Sequence, residues 1–576
     1  MGELRSCCRP RVRPAGSAVL GLGLGLGLLL ALGGACRPKP VPNDPDAHVP
    51  LATAPTWKNW SRNLVHRPAL DGGAYYFTPT SRAELRTIVK NAAAAGVSLR
   101  VTGQRHSQPP LVASDNRDDP PATTRDWIVD LSCYHDLGPD GTLPVELDAE
   151  HHTVTVNAGV REDQVDAFLT EQDFMLQTVT AGGFFSIGGM TAVDVNGATI
   201  AAPIFAETAS AFTIMGPDGE VTTIDASTPK VNGWSPLQFA RVSLGSLGIV
   251  TAVTLDVVER PWATSLVGGR QDFQITDQAT FVNAYRDLLT QHDRLESFYN
   301  PYSGGLLALW WDRDPAPADP VPNHGSAFAT ACTFAEDDLP GAPYEVPTEE
   351  QVAEKSEETV QLNGSREDAT LLIDFALADI REQVRRADER HSDLWLEEAA
   401  RVVFMSYFIE LPAADDEGLG RVWAGIDAIT QRLAPGDFLI AGPLEFRFIR
   451  AGDSALSATY STNPDALFVN LDLLAFVPVE SADRYPEAML RFFADVEREW
   501  VALGGMPHNG KMYGFYDPGT DPGQATPPFH PAYLSDLALR RGERMEAFEA
   551  YRFTRDPGGL FCNEFLTALT LCSSGR

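Results

Sequence analysis

A short stretch in the first quarter of the chain combines a glycine turn with a histidine that could meet a ligand. Val97, Leu99 and Val101 alternate with polar residues, a pattern that predicts a strand. Gly103 is the first residue beyond it that is free to turn, and His106 follows on the loop. A lone histidine at such a place is most often a surface or capping residue, so its interpretation depends on what the fold brings beside it.

A second loop has a backbone that can approach a ligand closely. Glycines are concentrated in residues 181–190, and Asn196 and Gly197 follow shortly after. Backbone without side chains can bring its N–H groups close to a phosphate or to a planar ring. This loop is therefore the second candidate for ligand contact.

Helices and strands alternate around both loops. Ser81 and Glu84 form a capping box ahead of an apolar helical face, and Gly96 provides the stop before the strand that leads to His106. The alternation predicts a first lobe of mixed helix and strand that is complete near Arg260. Its further predicted elements are strands at 127–131, 153–156 and 253–257, a helix over 161–174 and a hairpin turn at 215–220.

The sequence pattern changes over residues 263–504. Long amphipathic segments such as 374–387 alternate there with apolar strands at 306–311 and 466–471, which predicts a second α+β domain. The Pro-rich, acidic stretch over 313–347 is longer than the loops of compact domains usually are, and we interpret it as a lid or a surface loop.

The net negative charge of the chain indicates which kinds of binding partner to expect. The 576 residues include 78 acidic and 45 basic side chains, with a formal net charge of −33, and 44% of them are hydrophobic. A chain of this length and composition can bury a large core and form several domains. The negative charge repels phosphate backbones and anionic membrane surfaces, so we expect no nucleic acid partner and favour a neutral or apolar small molecule.

The N-terminus predicts export. Arginines precede an apolar run over 18–32 and small residues lead to Cys36, so we expect a signal segment over 1–35 and a Pro-rich linker over 36–55. The run is short and Gly-rich for a membrane span. Residues 32–36 resemble a bacterial lipoprotein cleavage box, and a lipid anchor at Cys36 and plain secretion both remain open.

Cysteines in the predicted mature chain are few and have no metal-binding spacing. Besides Cys36 they are Cys133, Cys332, Cys562 and Cys572, so we expect no metal site, and an exported protein of this size can hold zero to two disulfides. We do not predict a bond between the nearest pair, Cys562 and Cys572. The chain also lacks the G-x-G-x-x-G, Walker, H-E-x-x-H and G-x-S-x-G motifs, which disfavours the common nucleotide-binding and hydrolase folds.

Two segments resemble the flavin-binding signature of the vanillyl-alcohol oxidase family. They are Arg100-Val-Thr-Gly-Gln-Arg-His-Ser-Gln-Pro109 and Gly182-Gly-Phe-Phe-Ser-Ile-Gly-Gly189. In that family both loops wrap the FAD pyrophosphate with backbone N–H groups, and a histidine at the place of His106 is often bonded covalently to the flavin. The resemblance implies FAD, bound covalently through His106. It assigns to the cofactor Thr102, Gly103, Gln104, Arg105, His106, Ser107, Gly182, Gly183, Ser186, Ile187, Gly188, Gly189, Asn196, Ile249, Lys511 and Asn563.

The C-terminal segment resembles aldonolactone and alditol oxidases of the same family. Pro507-His-Asn-Gly-Lys511 is similar to their P-H-x-G-K element, which places a lysine near the flavin ring, and Arg555-Asp-Pro-Gly-Gly-Leu-Phe-Cys-Asn563 is similar to their closing segment. Without the flanking motif, a solvated loop lysine would be the simpler interpretation of Lys511. The resemblance implies that the chain leaves the FAD-binding domain near residue 260 and returns to it near residue 505.

The implied fold class is α+β, with a PCMH-type FAD-binding domain of two subdomains and an α+β cap domain built on a large antiparallel sheet. The cap sheet would roof the substrate cavity. The expected boundaries are 56–262 for the first part of the FAD-binding domain, 263–504 for the cap, or substrate, domain and 505–576 for the return to the FAD-binding domain.

Shorter matches extend the resemblance to the bacterial cholesterol oxidases that carry covalent FAD. They occur in the expected order along the chain, and most of them fall in the cap. The matching residues are Asn59-Trp-Ser61, Glu296 ahead of Tyr299, Gly442-Pro-Leu-Glu-Phe-Arg447, and Asn470, which would position polar groups beside the flavin.

The cap residues have a chemical logic of their own. Glu445 and Arg447 are two residues apart, so on a strand both point to one face while Leu444 and Phe446 point to the other. Oxidation of a secondary alcohol needs a base, and a carboxylate in an apolar cavity has a raised pKa that suits this task. Glu296 is the candidate base, helped by Glu445, and Arg447 would stabilise developing negative charge. The alternatives are a structural ion pair for Glu445 and Arg447, and a surface acid at a helix end for Glu296.

The resulting expectation is an exported FAD-dependent oxidase of a secondary alcohol, with oxygen as electron acceptor and a sterol as the substrate that the resemblance implies. A 3β-hydroxysteroid would give a 3-ketosteroid and hydrogen peroxide, with a double-bond isomerisation as a further implied step. Three alternatives stay open: an aldonolactone or alditol oxidase, a flavin dehydrogenase with another acceptor, and a non-catalytic exported binding lipoprotein.

Overall fold

The structure is a computed structural model, and several expectations fall outside the residues that it describes. These are the signal segment over 1–35, the linker except Pro55, the stretch over 314–347, and Gly182. The described residues are 55–180, 183–260, 266–313, 356–383, 402–433, 436–476 and 485–572.

Within these ranges the strands form three larger sheets and two short two-stranded ladders. Their bounds are β1 Trp57–Lys58, β2 Val65–His66, β3 Tyr76–Phe77, β4 Ser98–Thr102, β5 Asp126–Asp130, β6 Val145–Asp148, β7 Thr153–Asn157, β8 Phe174–Leu176, β9 Ala209–Met215, β10 Val221–Asp225, β11 Ile249–Glu259, β12 Leu266–Gln274, β13 Arg294–Tyr299, β14 Gly305–Arg313, β15 Val402–Leu411, β16 Leu444–Arg450, β17 Leu467–Phe476, β18 Met506–Pro507, β19 Tyr516–Asp517 and β20 Gln524–Ala525.

Several helices begin at a polar residue whose side chain accepts a hydrogen bond from the first turn, as Ser81, Asp277 and Asp415 do. The helix bounds are α1 Arg82–Ala95, α2 Glu162–Thr170, α3 Ile187–Thr191, α4 Pro236–Ala240, α5 Gln278–Gln291, α6 Glu357–Asn363, α7 Arg366–Gln383, α8 Asp416–Arg432, α9 Glu487–Ala502, α10 Pro531–Arg541, α11 Glu543–Arg555 and α12 Glu564–Ala568.

Local signals set the ends of α1 correctly, and they fail at α2. The backbone N–H of Glu84 donates to Ser81 at the start of α1, and Gly96 ends it with a left-handed φ of 66°. The helix predicted over 161–174 ends already at Thr170. The reason is tertiary, because the apolar residues Phe174–Leu176 pair with the end of β11 instead of continuing the helix. The helix predicted over 374–387 belongs to α7, which begins earlier, at Arg366.

The first lobe holds two of the sheets. Strand β4, which leads to the His106 loop, lies at the edge of a parallel sheet of order β3-β5-β4. The next sheet is antiparallel, with the order β10-β9-β11-β7-β6 and β8 added to β11. The hairpin predicted at 215–220 is confirmed, since Met215 at the end of β9 faces Val221 at the start of β10.

The third sheet is large, antiparallel and built mainly from residues after 263. In the described part of the chain it has seven strands in the order β12-β14-β13-β16-β17-β15-β18. Its register places Glu296 on β13 opposite Arg447 on β16, and Glu445 opposite Asp472 on β17. The expected α+β class with a large antiparallel sheet is confirmed. Strand β18, which falls in the segment expected to return to the FAD-binding domain, pairs with β15 at the edge of this sheet.

The C-terminal cysteines are bonded, a pairing that the sequence analysis left unpredicted. Cys562 and Cys572 form a disulfide with their Cα atoms 6.1 Å apart. The pairing depends on helix α12 turning the chain back between them, a feature that the spacing alone does not reveal. Across the described ranges, none of the helices is both long and apolar enough to span a membrane, and His, Cys, Asp and Glu side chains are nowhere grouped so as to hold a metal ion.

A buried arginine on β4, the strand that leads to the His106 loop, donates hydrogen bonds to backbone carbonyls of three other segments. Arg100 on β4 donates from Nε to the carbonyl of Leu111 at 2.7 Å and from Nη2 to that of Leu244 at 2.6 Å. Its Nη1 donates to the carbonyls of Gly245 at 2.8 Å and Phe561 at 2.6 Å. Burial lowers the pKa of Arg100 to about 10, so the guanidinium stays charged at neutral pH.

Replacing this arginine should destabilise the fold. In Arg100→Met the buried carbonyls lose their shared donor, and we expect the free energy of unfolding to fall by about 3 kcal/mol or more, as measured by urea unfolding. Arg491→Met is the matched control, because its ion pair with Glu487 is exposed and should be worth about 0.5 kcal/mol or less. Similar losses in both variants would contradict this account.

Candidate active site

A cavity of about 260 Å³ is lined jointly by the two glycine loops and by the large antiparallel sheet. Most of the residues singled out from the sequence meet there although they come from distant parts of the chain. Those that line the cavity are Thr102, Gly103, Gln104, Arg105, His106, Ser107, Ser186, Gly188, Gly189, Asn196, Ile249, Glu445, Arg447 and Lys511.

Five other candidate residues lie behind the lining. Ile187 is fully buried in α3, Gly183 donates its N–H to a threonine hydroxyl, and Asn563 caps α12. Glu296 and Asn470 are buried within the large sheet, with 1% and 2% of their surface exposed, and neither lines the cavity. Glu296 contacts the lining residue Arg447.

Arg447 joins two carboxylates at the cavity wall. Its Nε donates to Oε1 of Glu296 at 2.8 Å, and Nη2 contacts the same oxygen. The same Nη2 lies 2.5 Å from Oε1 of Glu445, and Nη1 donates to the carbonyl of Asn196 at 3.3 Å. The guanidinium is thus held from both sides and tied to the second glycine loop. As expected from their spacing, Glu445 and Arg447 share one face of β16.

The surroundings of Glu445 and Arg447 shift the pKa values of both side chains, with different consequences for their charge. Burial raises the pKa of Glu445, and the charge of Arg447 opposes that shift. The nearby carboxylates of Glu296 and Asp472 raise the pKa of Glu445 further. Burial acts to lower the pKa of Arg447, but Glu296 and Glu445 outweigh it and the net shift is upward. Arg447 therefore stays cationic, while Glu445 can hold a proton at higher pH than an ordinary glutamate.

Sequence reasoning missed Asp472 and Phe404, which also line the cavity, together with His508 of the Pro507–Lys511 segment. Asp472 stands two residues after Asn470 on β17, so the same spacing argument that linked Glu445 to Arg447 could have found it. Asn470 itself donates from Nδ2 to the hydroxyl of Ser406 at 2.9 Å.

His106 lies in an aromatic setting. Its ring centroid is 4.9 Å from Trp60, 4.9 Å from Phe184 and 4.7 Å from Phe185. Burial, and then the charge of Lys511, lower the pKa of His106 to about 3. The imidazole is therefore neutral at ordinary pH, and a ring nitrogen keeps the lone pair that a covalent bond to carbon requires.

Gln108 fastens the His106 loop to the large sheet. Its Oε1 accepts from the backbone N–H of Phe404 at 3.0 Å, and its own N–H donates to the carbonyl of Gly510 at 3.0 Å. Its Nε2 donates to Ser61 at 2.8 Å, and its carbonyl accepts from Asn63 at 3.0 Å. The loop is held by both lobes, which fixes His106 relative to the cavity wall.

The glycine loops fit a flavin nucleotide. A Cβ at Gly103 would lie 2.1 Å from Oγ of Ser186, and one at Gly188 would lie 2.7 Å from Cβ of Ala158. The backbones therefore approach as closely as only glycine allows. Nδ2 of Asn196 is buried and finds no hydrogen-bond acceptor in the described ranges, so a ligand oxygen could satisfy it. These donors and close backbone contacts suit the phosphates and ring of FAD.

Two family models match the chain. Residues 73–225 match the model described as "FAD binding domain", and residues 417–569 match the model described as "D-arabinono-1,4-lactone oxidase". Fold, cavity and these matches define an FAD-dependent oxidoreductase. The first match agrees with the PCMH-type FAD-binding domain that the two glycine segments predict, and the second agrees with the aldonolactone oxidase-like C-terminal segment.

Individual relatives are distant. The chain is 27% identical to D-arabinono-1,4-lactone oxidase of Eremothecium gossypii over 205 residues, which cover 35% of this chain and only 34% of that relative. It is 23% identical to L-gulono-1,4-lactone dehydrogenase of Mycobacterium tuberculosis over 517 residues, 89% of this chain and 98% of the relative. The crystal structure of cholesterol oxidase from Brevibacterium sterolicum superimposes with a TM-score of 0.66 at 14% identity, covering 92% of this chain and 99% of that one. The similarity to cholesterol oxidase shows a shared fold and nothing further.

Loss of the central cation should be costly. In Arg447→Met the buried carboxylates of Glu296 and Glu445 lose the guanidinium they share, and we expect the free energy of unfolding to fall by about 3–5 kcal/mol in urea. Arg450→Met at the exposed end of the same strand is the control, since its Nη1 donates to the carbonyl of Asp465 at the surface; we expect about 1 kcal/mol or less. A loss in Arg447→Met no larger than in the control would refute the role of the guanidinium.

Proposed function

We propose that this FAD-dependent oxidoreductase oxidises a secondary alcohol group of a small polyhydroxylated lactone or polyol. The observation that carries the proposal is the position of Glu445, which is paired with Arg447 on the wall of the cavity that His106 and Lys511 also line. The names of the sequence relatives, a D-arabinono-1,4-lactone oxidase and an L-gulono-1,4-lactone dehydrogenase, support the substrate class.

The residues divide the work of alcohol oxidation. Glu445 accepts the hydroxyl proton of the substrate, and Arg447 stabilises the negative charge that develops on the substrate oxygen. When bound, FAD supplies the acceptor for the hydride that leaves the carbinol carbon. Glu296 does not reach the cavity, so we assign it the positioning of Arg447 in place of the role of base expected from the sequence. Lys511 provides a second positive charge at the same wall.

The polar part of the cavity suits a substrate with several hydroxyl groups. Glu445, Arg447, Asp472 and Lys511 all line it, together with Asn196 from the second loop. Such side chains can donate to and accept from neighbouring hydroxyls, whereas an apolar ring system would leave them without partners.

One observation favours a second candidate, a sterol. The side chains of Phe298, Ile380 and Phe404 line the same cavity, and together they form an apolar surface that could take a hydrocarbon skeleton beside the polar wall. A sterol has one hydroxyl to place against Glu445 and an extended apolar body to bury.

A substrate panel tests the proposal. Purified holoprotein is mixed with aldonolactones, alditols and 3β-hydroxysteroids, and turnover is followed both by hydrogen peroxide and by reduction of an artificial electron-accepting dye. We expect turnover of a lactone or an alditol, and peroxide formation would indicate an oxidase, whereas dye reduction alone would indicate a dehydrogenase. Turnover confined to steroids would replace the first candidate by the second. Flavin-loaded protein that turns over nothing would indicate a binding protein.

The pH profile tests Glu445 as the base. A base must be ionised, and burial raises the pKa of Glu445, so log kcat/KM should increase with pH, with a slope of about 1, until that raised pKa is passed. Glu445→Gln should lower kcat by about 100-fold or more and remove this dependence. A variant that keeps the rising limb would exclude Glu445 as its origin. Glu410→Gln, on an exposed position of β15, is the control.

We also propose that His106 carries the flavin covalently. When the protein is precipitated with acid, the yellow colour should stay in the pellet of the wild type and move to the supernatant in His106→Ala. His292→Ala is the control, because His292 packs on Trp310 and pairs with Asp312, residues that do not line the cavity, and its colour should stay in the pellet. Colour released equally from wild type and His106→Ala would show that no such bond forms.

A further inference from the structure

A buried aspartate shortly after helix α3 joins the second glycine loop to the loop that carries Lys511. Asp194 is fully buried and lies two residues before Asn196. Its Oδ2 accepts from the backbone N–H of Asn509 at 2.8 Å and from Nδ2 of the same residue at 2.6 Å. Its Oδ1 accepts from the backbone N–H of Ala458 at 2.8 Å. Asp194 does not line the cavity, and the proposed reaction gives it no direct part.

The partner of this aspartate, Asn509, uses both ends of its side-chain amide. Nδ2 also donates to the carbonyl of Leu456 at 3.0 Å, and Oδ1 accepts from Nη2 of Arg541 at 2.7 Å. Asn509 is fully buried, and a buried amide that makes all these bonds has a single favourable position. Asn509 is therefore a fixed point of the chain between two residues that line the cavity, His508 and Gly510.

Asn509 lies within a tight turn. The backbone N–H of Lys511 donates to the carbonyl of His508 at 3.1 Å, which closes the turn, and the N–H of Gly510 donates to Nδ1 of His508 at 2.9 Å. A Cβ at Gly510 would lie 3.1 Å from Cγ2 of Val193, so the turn packs directly against the segment after α3. Fixing Asn509 therefore fixes the backbone from which the Lys511 side chain extends.

The other end of the Lys511 side chain rests on the large sheet. Its Nζ lies 4.0 Å from the ring centroid of Phe404, a contact that attracts a cation. Next to Lys511, the backbone N–H of Met512 donates to the carbonyl of Phe404 at 2.8 Å. The place of the ammonium at the cavity wall thus has two supports, Phe404 beneath its charged end and Asn509 in the turn before it.

We propose that Asp194 is a positioning residue, which holds Asn509 and thereby sets the place of the Lys511 ammonium beside the flavin ring. A cation close to the ring stabilises the negative charge that the ring gains on reduction. The position of Lys511 therefore sets the reduction potential of the flavin. The proposal depends on a flavin bound beside Lys511 and is independent of the identity of the substrate.

The test measures the midpoint potential of the flavin in purified holoprotein by equilibration with a reference dye. It needs no substrate, so its failure is distinct from failure of the proposed function. Lys511→Met should lower the equilibrium constant for two-electron reduction by about 10-fold or more, which is about 30 mV. Asp194→Ala and Asn509→Ala should each lower it by about 3-fold or more, because the ammonium loses its fixed place.

Two double variants show whether these effects share one origin. Asp194→Ala/Asn509→Ala should resemble the more affected single variant, because both replacements break the same contact. In the Lys511→Met background, Asp194→Ala should change the equilibrium constant by less than about 2-fold, because no ammonium remains to be displaced. An effect of Asp194→Ala that persists in full without Lys511 would overturn the proposal.

Glu207→Ala is the matched control for the loss of a buried carboxylate. The Glu207 side chain is 5% exposed and accepts from the backbone N–H of Ser454 at 2.9 Å, on the stretch of chain that Asp194 holds at Ala458. The control should lose stability in urea but keep its reduction equilibrium within about 2-fold of wild type; an equal shift in both variants would contradict the proposal. If Asp194→Ala retains no flavin, Asn509→Ala replaces it in each comparison, and an unchanged potential there would also overturn the proposal.

Discussion

The cavity wall depends on one buried guanidinium. Arg447 lies opposite Glu296 in the ladder between β13 and β16, and its Nε donates to that carboxylate at 2.8 Å. Removing these charges from water is costly and is repaid only where the geometry is fixed. Strands β13 and β16 must therefore keep their register, and Glu445, next to Arg447 on the same face, is fixed with it. Burial at this place raises the pKa of Glu445, and the charge of Arg447 opposes that shift.

The second requirement is that residues from two different sheets meet at one cavity. The His106 loop belongs to the parallel sheet of the first lobe, while Glu445 and Arg447 belong to the antiparallel sheet. Gln108 connects the two sheets by accepting a hydrogen bond from the backbone N–H of Phe404 on β15. Arg447 makes a second connection by donating to the carbonyl of Asn196 on the second glycine loop. These bonds place the two glycine loops against the wall formed by Glu445 and Arg447, and neither sheet alone could provide both.

Features that depend on local sequence patterns could be predicted from the sequence, whereas features that depend on the pairing of distant residues could not. The N-cap at Ser81 and the alternation around Glu445 depend on neighbours within a few residues, and both agree with the structure. The capping box is only half formed, because the carboxylate of Glu84 accepts from the backbone N–H of Thr80 instead of that of Ser81. Glu296 and Arg447 are 151 residues apart, so the register that sets them opposite each other has no local signal. The same holds for the strand Phe174–Leu176, which a helical pattern concealed, and for the bond between Cys562 and Cys572, which needs a helix to close the loop.

The central claim is that FAD lies between the two glycine loops with its ring against the wall formed by Glu445, Arg447 and Lys511. A crystal structure of the purified yellow protein tests it most directly. The account predicts electron density for the isoalloxazine ring in this cavity, between His106 and that wall. A flavin ring bound elsewhere, or turned away from Glu445 and Arg447, would contradict it.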